Sequence, residues 1–260
     1  MRIGITEQGD AGLDFMWFNK LASGTYEGAV LITKNLNDAF ITNVMRLYND
    51  ANFKNIIIHT GCTGMGKTVI EPQVPDYKTQ LQGITKLLQR GFPTNHIVLR
   101  IDPIIPTNGG LGLVKHVLDD FLALNTGITR VRFSILDQYQ HVRNRFIEKG
   151  IEPPWNGFYA PKWMQENLDW LFSKYSMLQF ESCAEDYFVK HSKNENIISC
   201  GCISSYEMEL FDLKLDTVMF ENNQNRHGCH CYSCKTELLN HKCRCPHQCL
   251  YCYWKDPIRK

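Results

Sequence analysis

The chain has 260 residues, 43% of them hydrophobic, and a formal net charge of +1 at pH 7. This length suits one large α/β domain or two small ones, and the apolar content is enough for a buried core. A net charge so close to zero gives no general field that would attract nucleic acid or a membrane surface. The sequence begins without a signal-peptide pattern, and no run approaches the ~20 apolar residues that span a bilayer, which predicts a cytoplasmic protein without a membrane partner.

Short β-rich runs alternate with segments of helical period, which is typical of βα units around a parallel sheet. Strands are predicted at 2–6, 28–33, 55–60, 96–101, 129–135 and 177–182, with a seventh at 215–220. Helices are predicted at 12–22, 37–50, 77–90, 110–124, 161–174 and 184–192. Six or seven such units favour a (β/α) barrel or partial barrel, with an open sheet as the alternative.

The barrel is expected to occupy residues 1–220, and a cysteine-rich segment at 221–260 is expected to pack on its mouth. In such folds the polar residues that follow the strands point into the mouth. The residues that follow the first six strands are Glu7 and Asp10, Lys34 and Asn35, His59 and Thr60, Arg100 and Asp102, Ser134 and Asp137, and finally Glu181, Cys183 and Glu185. Each alone could be a helix cap or an ion-pair partner, but their recurrence predicts an active site.

The octapeptide GCTGMGKT at 61–68 matches the phosphate-loop pattern G-x-x-x-x-G-K-[ST] and directly follows a predicted strand. A phosphate loop needs the amino end of a helix right after its lysine. Here Lys67 and Thr68 are followed by V-I-E-P-Q-V-P, and Pro72 and Pro75 disfavour a helix at that position. The sequence therefore predicts a glycine-rich active-site loop in preference to an NTPase.

Nine of the eleven cysteines lie at or after position 200. Thiols of a cytoplasmic protein stay reduced, so these cysteines are typical of metal ligation or catalysis. Cys245, Cys249 and Cys252 are spaced C-x-x-x-C-x-x-C, which lets one loop bind three irons of a 4Fe-4S cluster and leaves the fourth iron open. Radical SAM enzymes have this arrangement: S-adenosylmethionine binds the open iron, and Tyr251, just before the third cysteine, is expected to lie against the adenine.

Zinc is the alternative metal for this end of the chain, in one or two tetrahedral sites. The candidate ligands are Cys229, Cys231, Cys234, His241, Cys243, Cys245, His247, Cys249 and Cys252. On this hypothesis the chain is a zinc-stabilised nucleic-acid-binding or scaffold protein without catalysis. A structural zinc site would not, however, require a barrel mouth lined with ionisable residues.

Eight short stretches together carry a resemblance to a known family. They are TKN (33–35), TGMGKTVIEPQVP (63–75), LRIDPI (99–104), FSILDQY (133–139), SCAE (182–185), CI (202–203), CHC (229–231) and CPHQCLYCYW (245–254). Their order resembles that of a bacterial and phage family, domain-of-unknown-function family eighteen-forty-eight, over nearly the whole chain. That family looks like a radical SAM relative whose cluster loop has moved to the carboxyl end. The loop is similar to that of spore photoproduct lyase, a DNA-repair enzyme.

The resemblance implies that S-adenosylmethionine is cleaved reductively to a 5'-deoxyadenosyl radical, which abstracts a hydrogen atom from the substrate. The residues expected to be catalytic are Glu71, Asp102 and Asp137, and those expected to bind the cofactor are Lys34, Asn35, Arg100 and Tyr251. The first loop, EQGDAGLDFMWF, matches the family only in part, because Glu7 and Gln8 replace the usual paired basic residues. A role is therefore carried over only to Asp10.

A second metal group is implied by the cysteines that match the family's other cysteine positions, Cys183, Cys202, Cys229 and Cys231. Four thiolates would close an auxiliary 4Fe-4S cluster that serves electron transfer or structure. Structural zinc on the same four cysteines is the alternative. Cys62, Cys200, Cys234 and Cys243 are left over; the last two could substitute for one of the chosen ligands.

The stretch TRVRFSILDQYQHVRNRF is the local evidence for a nucleic-acid partner. Its basic residues Arg130, Arg132, His141, Arg143 and Arg145 lie among the aromatic residues Phe133, Tyr139 and Phe146. The basic groups could contact phosphates while the rings stack on bases. Alternatively, Arg130 and Arg132 alternate with apolar residues on a strand and lie on a solvated or ion-paired face.

The substrate expectation rests on the similarity to a thymine-acting lyase and on the family's phage members. Both imply a nucleobase in DNA, for example a modified thymine whose substituent is rearranged by an isomerase or lyase. A hydrogen-abstracting radical suits an unactivated C–H bond that acid–base catalysis cannot open. An electron donor such as flavodoxin or ferredoxin is the expected partner.

Overall fold

A computed structural model describes residues 2–214, 230–233, 235–240 and 244–254. The strands in these ranges are β1 (Ile3–Ile5), β2 (Gly28–Thr33), β3 (Ile56–Gly61), β4 (Ile97–Ile104), β5 (Arg130–Ile135), β6 (Gln179–Ser182), β7 (Ile197–Ser199) and β8 (Lys235–Glu237). They form one sheet in the order β7-β6-β5-β4-β3-β2-β1-β8. Every neighbouring pair is parallel.

The α-helices of the described ranges lie in the connections between successive strands, one per connection except for two between β5 and β6. They are α1 (Met16–Ala22), α2 (Asp38–Asn49), α3 (Tyr77–Gln89), α4 (Asn108–Ala123), α5 (Gln140–Glu148), α6 (Lys162–Phe172), α7 (Asp186–His191) and α8 (Ser205–Leu210). Short polar side chains satisfy the first amides of the three longest helices. Asn37 accepts from Phe40 N at α2, Asp76 from Lys78 N at α3, and Thr107 from Gly110 N at α4.

The two faces of the sheet are buried against different partners. In β3, Ile56 and Ile58 belong to the larger apolar cluster, which includes residues from α1 to α7. Ile57, with the opposite side-chain direction, belongs to a smaller cluster that includes Met208 of α8. This alternation follows from the period of two along a strand. The smaller cluster also contains three cysteines, so their thiols lie on the same face of the sheet as Ile57 and α8. We call this the inner face of the sheet.

The α/β prediction is confirmed, as a single parallel sheet that alternates with helices. β7 and β8 are the ends of the strand order, and no ladder joins them within the described ranges, so closure into a barrel is not confirmed. Six predicted strands correspond to β1–β6, and the predicted strand at 215–220 lies outside the described residues. The division at residue 220 stays a prediction, because much of the second segment is not described.

Four elements were not predicted from the sequence. The strands β7 and β8 have only three residues each, and β8 reads Lys-Thr-Glu, which carries no apolar signal. The helix α5 lies in the basic stretch that suggested nucleic-acid contacts, and its buried residues are Val142, Arg145 and Phe146. The fourth is α8, which begins with a capping box formed by Ser204 and Glu207.

The loop after β3 does not have the geometry of a phosphate loop. The next helix, α3, begins at Tyr77, ten residues after Lys67. Lys67 itself is exposed and has a positive φ of 63°. Its amide donates to the carbonyls of Glu71 and Val74, so the segment closes into a turn. The prediction against an NTPase loop is therefore consistent with the fold.

Among the described residues, no helix combines the length and the apolar composition that a membrane-spanning segment needs.

Candidate metal and active site

A cavity of about 230 Å³ lies at the carboxyl ends of the strands. Because parallel strands end at the same edge of a sheet, the polar residues that follow them meet there. The polar residues that the sequence placed at the mouth and that line the cavity are Glu7, Asp10, Lys34, Arg100, Asp102, Ser134, Asp137 and Cys183. Both groups of cysteines, Cys245, Cys249 and Cys252 and also Cys202 and Cys231, open onto the same space.

Two residues predicted to act in the cavity are not among those that line it. Glu71, predicted to be catalytic, is fully buried, and its carboxylate contacts the side chains of cavity residues from behind. Asn35, predicted to bind the cofactor, does not line the cavity either; its backbone amide donates to Thr33 Oγ1 at 2.8 Å. His59, Thr60, Glu181 and Glu185 also lie outside the lining. The strand ends predicted where the site lies, but not which of the residues that follow them reach it.

The thiols of Cys245, Cys249 and Cys252 lie on one loop at the cavity wall. Cys249 is buried, and the other two are half-buried. Burial raises the pKa of Cys249 to about 12 and that of Cys245 to about 11. Without a metal the thiols of Cys245 and Cys249 are therefore neutral, and a bound metal would displace their protons.

His247, inside this cysteine loop, ties the loop to the segment after β1. Its Nε2 lies 2.7 Å from Asp10 Oδ2, and its Nδ1 lies 3.3 Å from the carbonyl of Gln73. Asp10 also accepts from Thr33 Oγ1 at 2.6 Å and from the amide of Lys34 at 2.7 Å. Burial would raise the pKa of Asp10, but His247 and these donors hold it below its usual value. With both ring nitrogens engaged, His247 does not fit the alternative prediction that it binds zinc.

Tyr251 ties the same loop to the glycine-rich loop after β3. Its hydroxyl donates to Glu71 Oε1, which also accepts from Lys34 Nζ at 3.0 Å, while Thr63 Oγ1 donates to Glu71 Oε2 at 2.6 Å. Burial would raise the pKa of Glu71, but the Lys34 ammonium and the two hydroxyl donors lower it. Gly61 is required nearby, because a Cβ there would lie 2.6 Å from Lys34 Cγ.

Arg145 of α5 supports the cysteine loop from a third side. Its Nη2 donates to the carbonyl of Cys252 at 2.6 Å and its Nη1 to that of Cys249 at 3.4 Å. A predicted nucleic-acid contact is thus turned inward, and it satisfies two carbonyls of the loop. The sequence spacing of α5 gave one signal for this arrangement, since Val142 and Phe146, four residues apart, are both buried.

The end of β4 places a half-buried ion pair beside Cys202 of the second cysteine group. Arg100 Nε donates to Asp102 Oδ2 at 2.8 Å, and Ser134 Oγ donates to Asp102 Oδ1. Arg100 Nη1 reaches His59 Nδ1 at 3.3 Å and Cys202 Sγ at 3.4 Å. Burial, with the charges of Arg132 and Arg100, holds the pKa of His59 well below its usual range, so its ring is neutral and accepts from Arg100.

The second cysteine group joins segments far apart in sequence. Cys183 Sγ and Cys202 Sγ are 3.8 Å apart, and the amide of Cys202 lies 3.0 Å from Cys231 Sγ. A carboxylate oxygen of Glu7 and the thiols of Cys202 and Cys231 all lie within 4.8 Å of one another. The structure thus brings together three of the four cysteines predicted for a second metal site. The fourth, Cys229, lies outside the described residues, as do Cys234, His241 and Cys243.

Two cysteines of the described ranges lie apart from both groups. Cys62 is buried, and burial raises its pKa to about 12. Cys200 is buried beside Arg132, and its pKa is also raised by burial. Neither lines the cavity.

The arginines of β5 are not available to a nucleic acid. Arg130 Nε donates to Glu181 Oε1 at 2.5 Å, Arg130 Nη2 to Glu207 Oε1 at 2.5 Å, and Arg132 Nε to Glu181 Oε2 at 2.9 Å. All four side chains are buried. The alternative of an ion-paired face is therefore correct for Arg130 and Arg132.

The aromatic residues of the same stretch divide between core and cavity. Phe133 and Phe146, which the sequence suggested could stack on bases, are buried in the larger apolar cluster. Tyr139 lines the cavity with Tyr253, their ring centroids 6.1 Å apart. Of the three predicted stacking residues, only Tyr139 reaches the candidate site.

Comparisons with known proteins give one match. A family model described as "Domain of unknown function (DUF1848)" matches residues 18–254. Searches of curated proteins and of solved structures found no match. The matched range includes both cysteine groups and the loop that contains Glu71, and it confirms the family predicted from the eight sequence stretches. The chain belongs to the DUF1848 family.

Proposed function

We propose that the chain is a radical SAM iron–sulfur enzyme, with Cys245, Cys249 and Cys252 as ligands of a 4Fe-4S cluster. The observation that carries this proposal is that three thiols with C-x-x-x-C-x-x-C spacing line one wall of a cavity that polar residues from five strand ends also line. A bound cluster with one open iron would supply reductive cleavage of S-adenosylmethionine and, from it, a radical that abstracts a substrate hydrogen.

The donor set around these thiols fits such a group. Three thiolates on one loop leave a cluster with one iron free of protein ligands. Lys34 and Arg100 place two cations on the cavity surface, where they offset the negative charge of thiolate-bound iron. The loop is held by His247, Tyr251 and Arg145, so the cysteines are positioned before a metal arrives.

Lys34 and Arg100 are the proposed contacts for the carboxylate of S-adenosylmethionine, because both are half-buried cations whose residues line the cavity. The ring of Tyr251 forms part of the same lining and is proposed to lie against the adenine. Asn35 is not retained in this role, because its residue does not line the cavity. Glu71 is proposed to orient Lys34 and Tyr251 and not to touch the substrate.

Asp102 and Asp137 remain the proposed catalytic carboxylates, since both residues line the cavity. Asp102 is held by Arg100 and Ser134, and although burial would raise its pKa, Arg100 and Ser134 lower it. It is therefore ionised at neutral pH and suits a hydrogen-bond acceptor that orients a substrate N–H or O–H group.

The proposed substrate is a nucleobase in DNA, such as a modified thymine that undergoes rearrangement, with flavodoxin or ferredoxin as electron donor. The likeness of the cysteine loop to that of spore photoproduct lyase is one support. The second is the pair Tyr139 and Tyr253 in the cavity wall, because flat rings stack on bases of any sequence. The buried Arg130 and Arg132 are not part of this proposal.

Anaerobic reconstitution with iron and sulfide tests the proposal. The wild-type chain should bind about four irons through Cys245, Cys249 and Cys252 and release 5'-deoxyadenosine from S-adenosylmethionine after reduction. Cys249→Ala should lose the cofactor cleavage, and Cys62→Ala is the matched control, a buried cysteine outside both groups. Circular dichroism checks that both variants fold. A colourless wild-type protein that binds only zinc would overturn the proposal in favour of a zinc-stabilised scaffold.

A further inference from the structure

The second cysteine group draws its ligands from the two ends of the sheet. Glu7 follows β1 and Cys231 precedes β8, at one end of the strand order. Cys183 follows β6 and Cys202 follows β7, at the other end. The sheet is therefore curled far enough for its two ends to meet at this cluster of side chains.

Backbone contacts support the same meeting of the two ends. The amide of Tyr232 donates to the carbonyl of Ile203 at 3.0 Å. Gly201 is essential to this approach, because a Cβ there would lie 2.4 Å from the carbonyl oxygen of His230 and 2.6 Å from Cys231 Cα. No ladder joins β7 to β8 in the described ranges, so side chains and isolated backbone contacts connect the ends.

The Cys183–Cys202 distance is that of two ligands on one ion, and Glu7, Cys202 and Cys231 lie close enough to one another to share an ion. Zinc–sulfur bonds of about 2.3 Å in a tetrahedron place two sulfur atoms about 3.8 Å apart. Cys183 Sγ and Cys202 Sγ are 3.8 Å apart. In a 4Fe-4S cluster each cysteine binds its own iron, so two sulfur ligands are separated by two Fe–S bonds and an Fe–Fe edge. The 3.8 Å separation favours a single ion over the second cluster expected from the sequence.

We propose that Cys183, Cys202, Cys231 and Glu7 bind one tetrahedral Zn²⁺ that holds the two ends of the sheet together. Glu7 supplies the oxygen ligand. The site stands in the wall of the proposed active-site cavity, but it does not depend on the radical chemistry proposed for Cys245, Cys249 and Cys252.

The neighbours of these ligands match what a zinc site requires. Lys235 Nζ contacts both carboxylate oxygens of Glu7, at 2.8 and 2.9 Å, and so fixes the direction of the carboxylate. Arg100 Nη1 contacts Cys202 Sγ at 3.4 Å. Three thiolates, one carboxylate and Zn²⁺ carry a net charge of −2, and these two adjacent cations offset it.

Cobalt(II), which takes the same tetrahedral ligands as zinc, counts the thiolates directly. The protein used is the full chain with Cys245, Cys249 and Cys252 changed to serine, which removes the first group of cysteines. In this background Glu7→Cys should raise the sulfur-to-cobalt charge-transfer absorbance by about one third, because the thiolate ligands increase from three to four. Gln8→Cys, the adjacent cavity residue, is the matched control and should leave the absorbance unchanged.

Cys229→Ser distinguishes this ligand set from the four cysteines expected from the sequence. If Glu7 is the fourth ligand, Cys229→Ser leaves the charge-transfer absorbance unchanged. A loss of about one quarter in Cys229→Ser, with no gain in Glu7→Cys, would assign the fourth position to Cys229 and overturn the proposal.

Metal content of the otherwise wild-type chain gives a second test that does not need the triple variant to fold. After anaerobic reconstitution with iron, sulfide and zinc, the chain should retain one zinc, and Cys202→Ser should lose it. Zinc retained beside an empty first site would sink only the radical SAM proposal. Iron in both sites, with no zinc, would sink this one while supporting the other.

Discussion

At the scale of one residue, Glu71 holds two cavity-lining side chains in place although it does not line the cavity itself. It is buried, and a single carboxylate receives Lys34, Tyr251 and Thr63. The Lys34 ammonium also donates to the carbonyl of Asp102 at 3.1 Å and lies 5.4 Å from the centre of the Tyr251 ring. A buried charge that loses its counter-charge is strongly destabilising, so the stability of this corner depends on the Glu71 carboxylate.

Glu71→Gln should lower the free energy of unfolding by about 3 kcal/mol, because the half-buried Lys34 ammonium loses the buried anion that it contacts. Urea denaturation of the metal-free chain measures the change. Lys67→Asn is the matched control on the same loop, since Lys67 is exposed and asparagine tolerates its positive φ. That control should stay within about 0.5 kcal/mol of wild type. Equal effects of the two changes on the free energy of unfolding would show that the Lys34–Glu71 pair does not stabilise the fold.

At the scale of elements, the cysteine loop at 244–254 is attached to three separate parts of the fold. Asp10 after β1 contacts His247, Glu71 in the loop after β3 contacts Tyr251, and Arg145 of α5 contacts the carbonyl of Cys252. Each attachment joins residues more than 100 positions apart. The loop is therefore ordered by the rest of the fold and not by its own short turns.

Asp10→Asn should loosen this loop, because an amide nitrogen facing His247 Nε2 cannot accept its hydrogen bond. Hydrogen bonds to charged groups are worth about 1.5–3 kcal/mol, so the amides of 244–254 should exchange with solvent about tenfold faster or more. Asp14→Asn is the control, since the asparagine oxygen can still accept from Met16 N. Hydrogen exchange with mass spectrometry locates the effect. Unchanged exchange at 244–254 in Asp10→Asn would remove His247 from the attachments.

At the scale of the whole molecule, the sequence predicted the sheet better than it predicted the contacts across it. The apolar periods gave β1–β6, and the residues after them gave most of the cavity lining. The edge strand β8, which pairs with β1, was missed because its three residues Lys-Thr-Glu carry no apolar signal. The contacts of Glu7 with Cys202, or of Tyr251 with Glu71, could not be predicted, because they depend on how far the sheet curls.

Inside that curl, two arginines and two glutamates join the inner face of the sheet to α8. Arg130 and Arg132 come from β5, Glu181 from β6 and Glu207 from α8, and all four are buried. Such a network contributes little if it is replaced as a whole by apolar groups, but the loss of one member leaves an unpaired buried charge. It should therefore govern how the fold responds to acid.

The pKa of Glu181 gives the direction of that response. Burial would raise it, but Arg132 and Arg130 lower it below its ordinary value of 4.5. A carboxyl whose pKa is lower in the folded state contributes stability that is fully present above about pH 4.5 and is lost as pH falls through the folded pKa. Between pH 7 and pH 5 this contribution should be constant, and below pH 4.5 it should decline.

Glu181→Gln should thus lower the free energy of unfolding at pH 7 by about 3 kcal/mol and also flatten its fall below pH 4.5. The flattening separates a charge effect from a packing defect, which would shift the stability equally at every pH. Glu166→Gln is the control, because Glu166 pairs with Lys162 on the exposed side of α6. Urea denaturation at a series of pH values measures both features. A Glu181→Gln curve parallel to that of wild type would mean that Glu181 is not ionised in the fold, and that the two arginines are balanced by Glu207 alone.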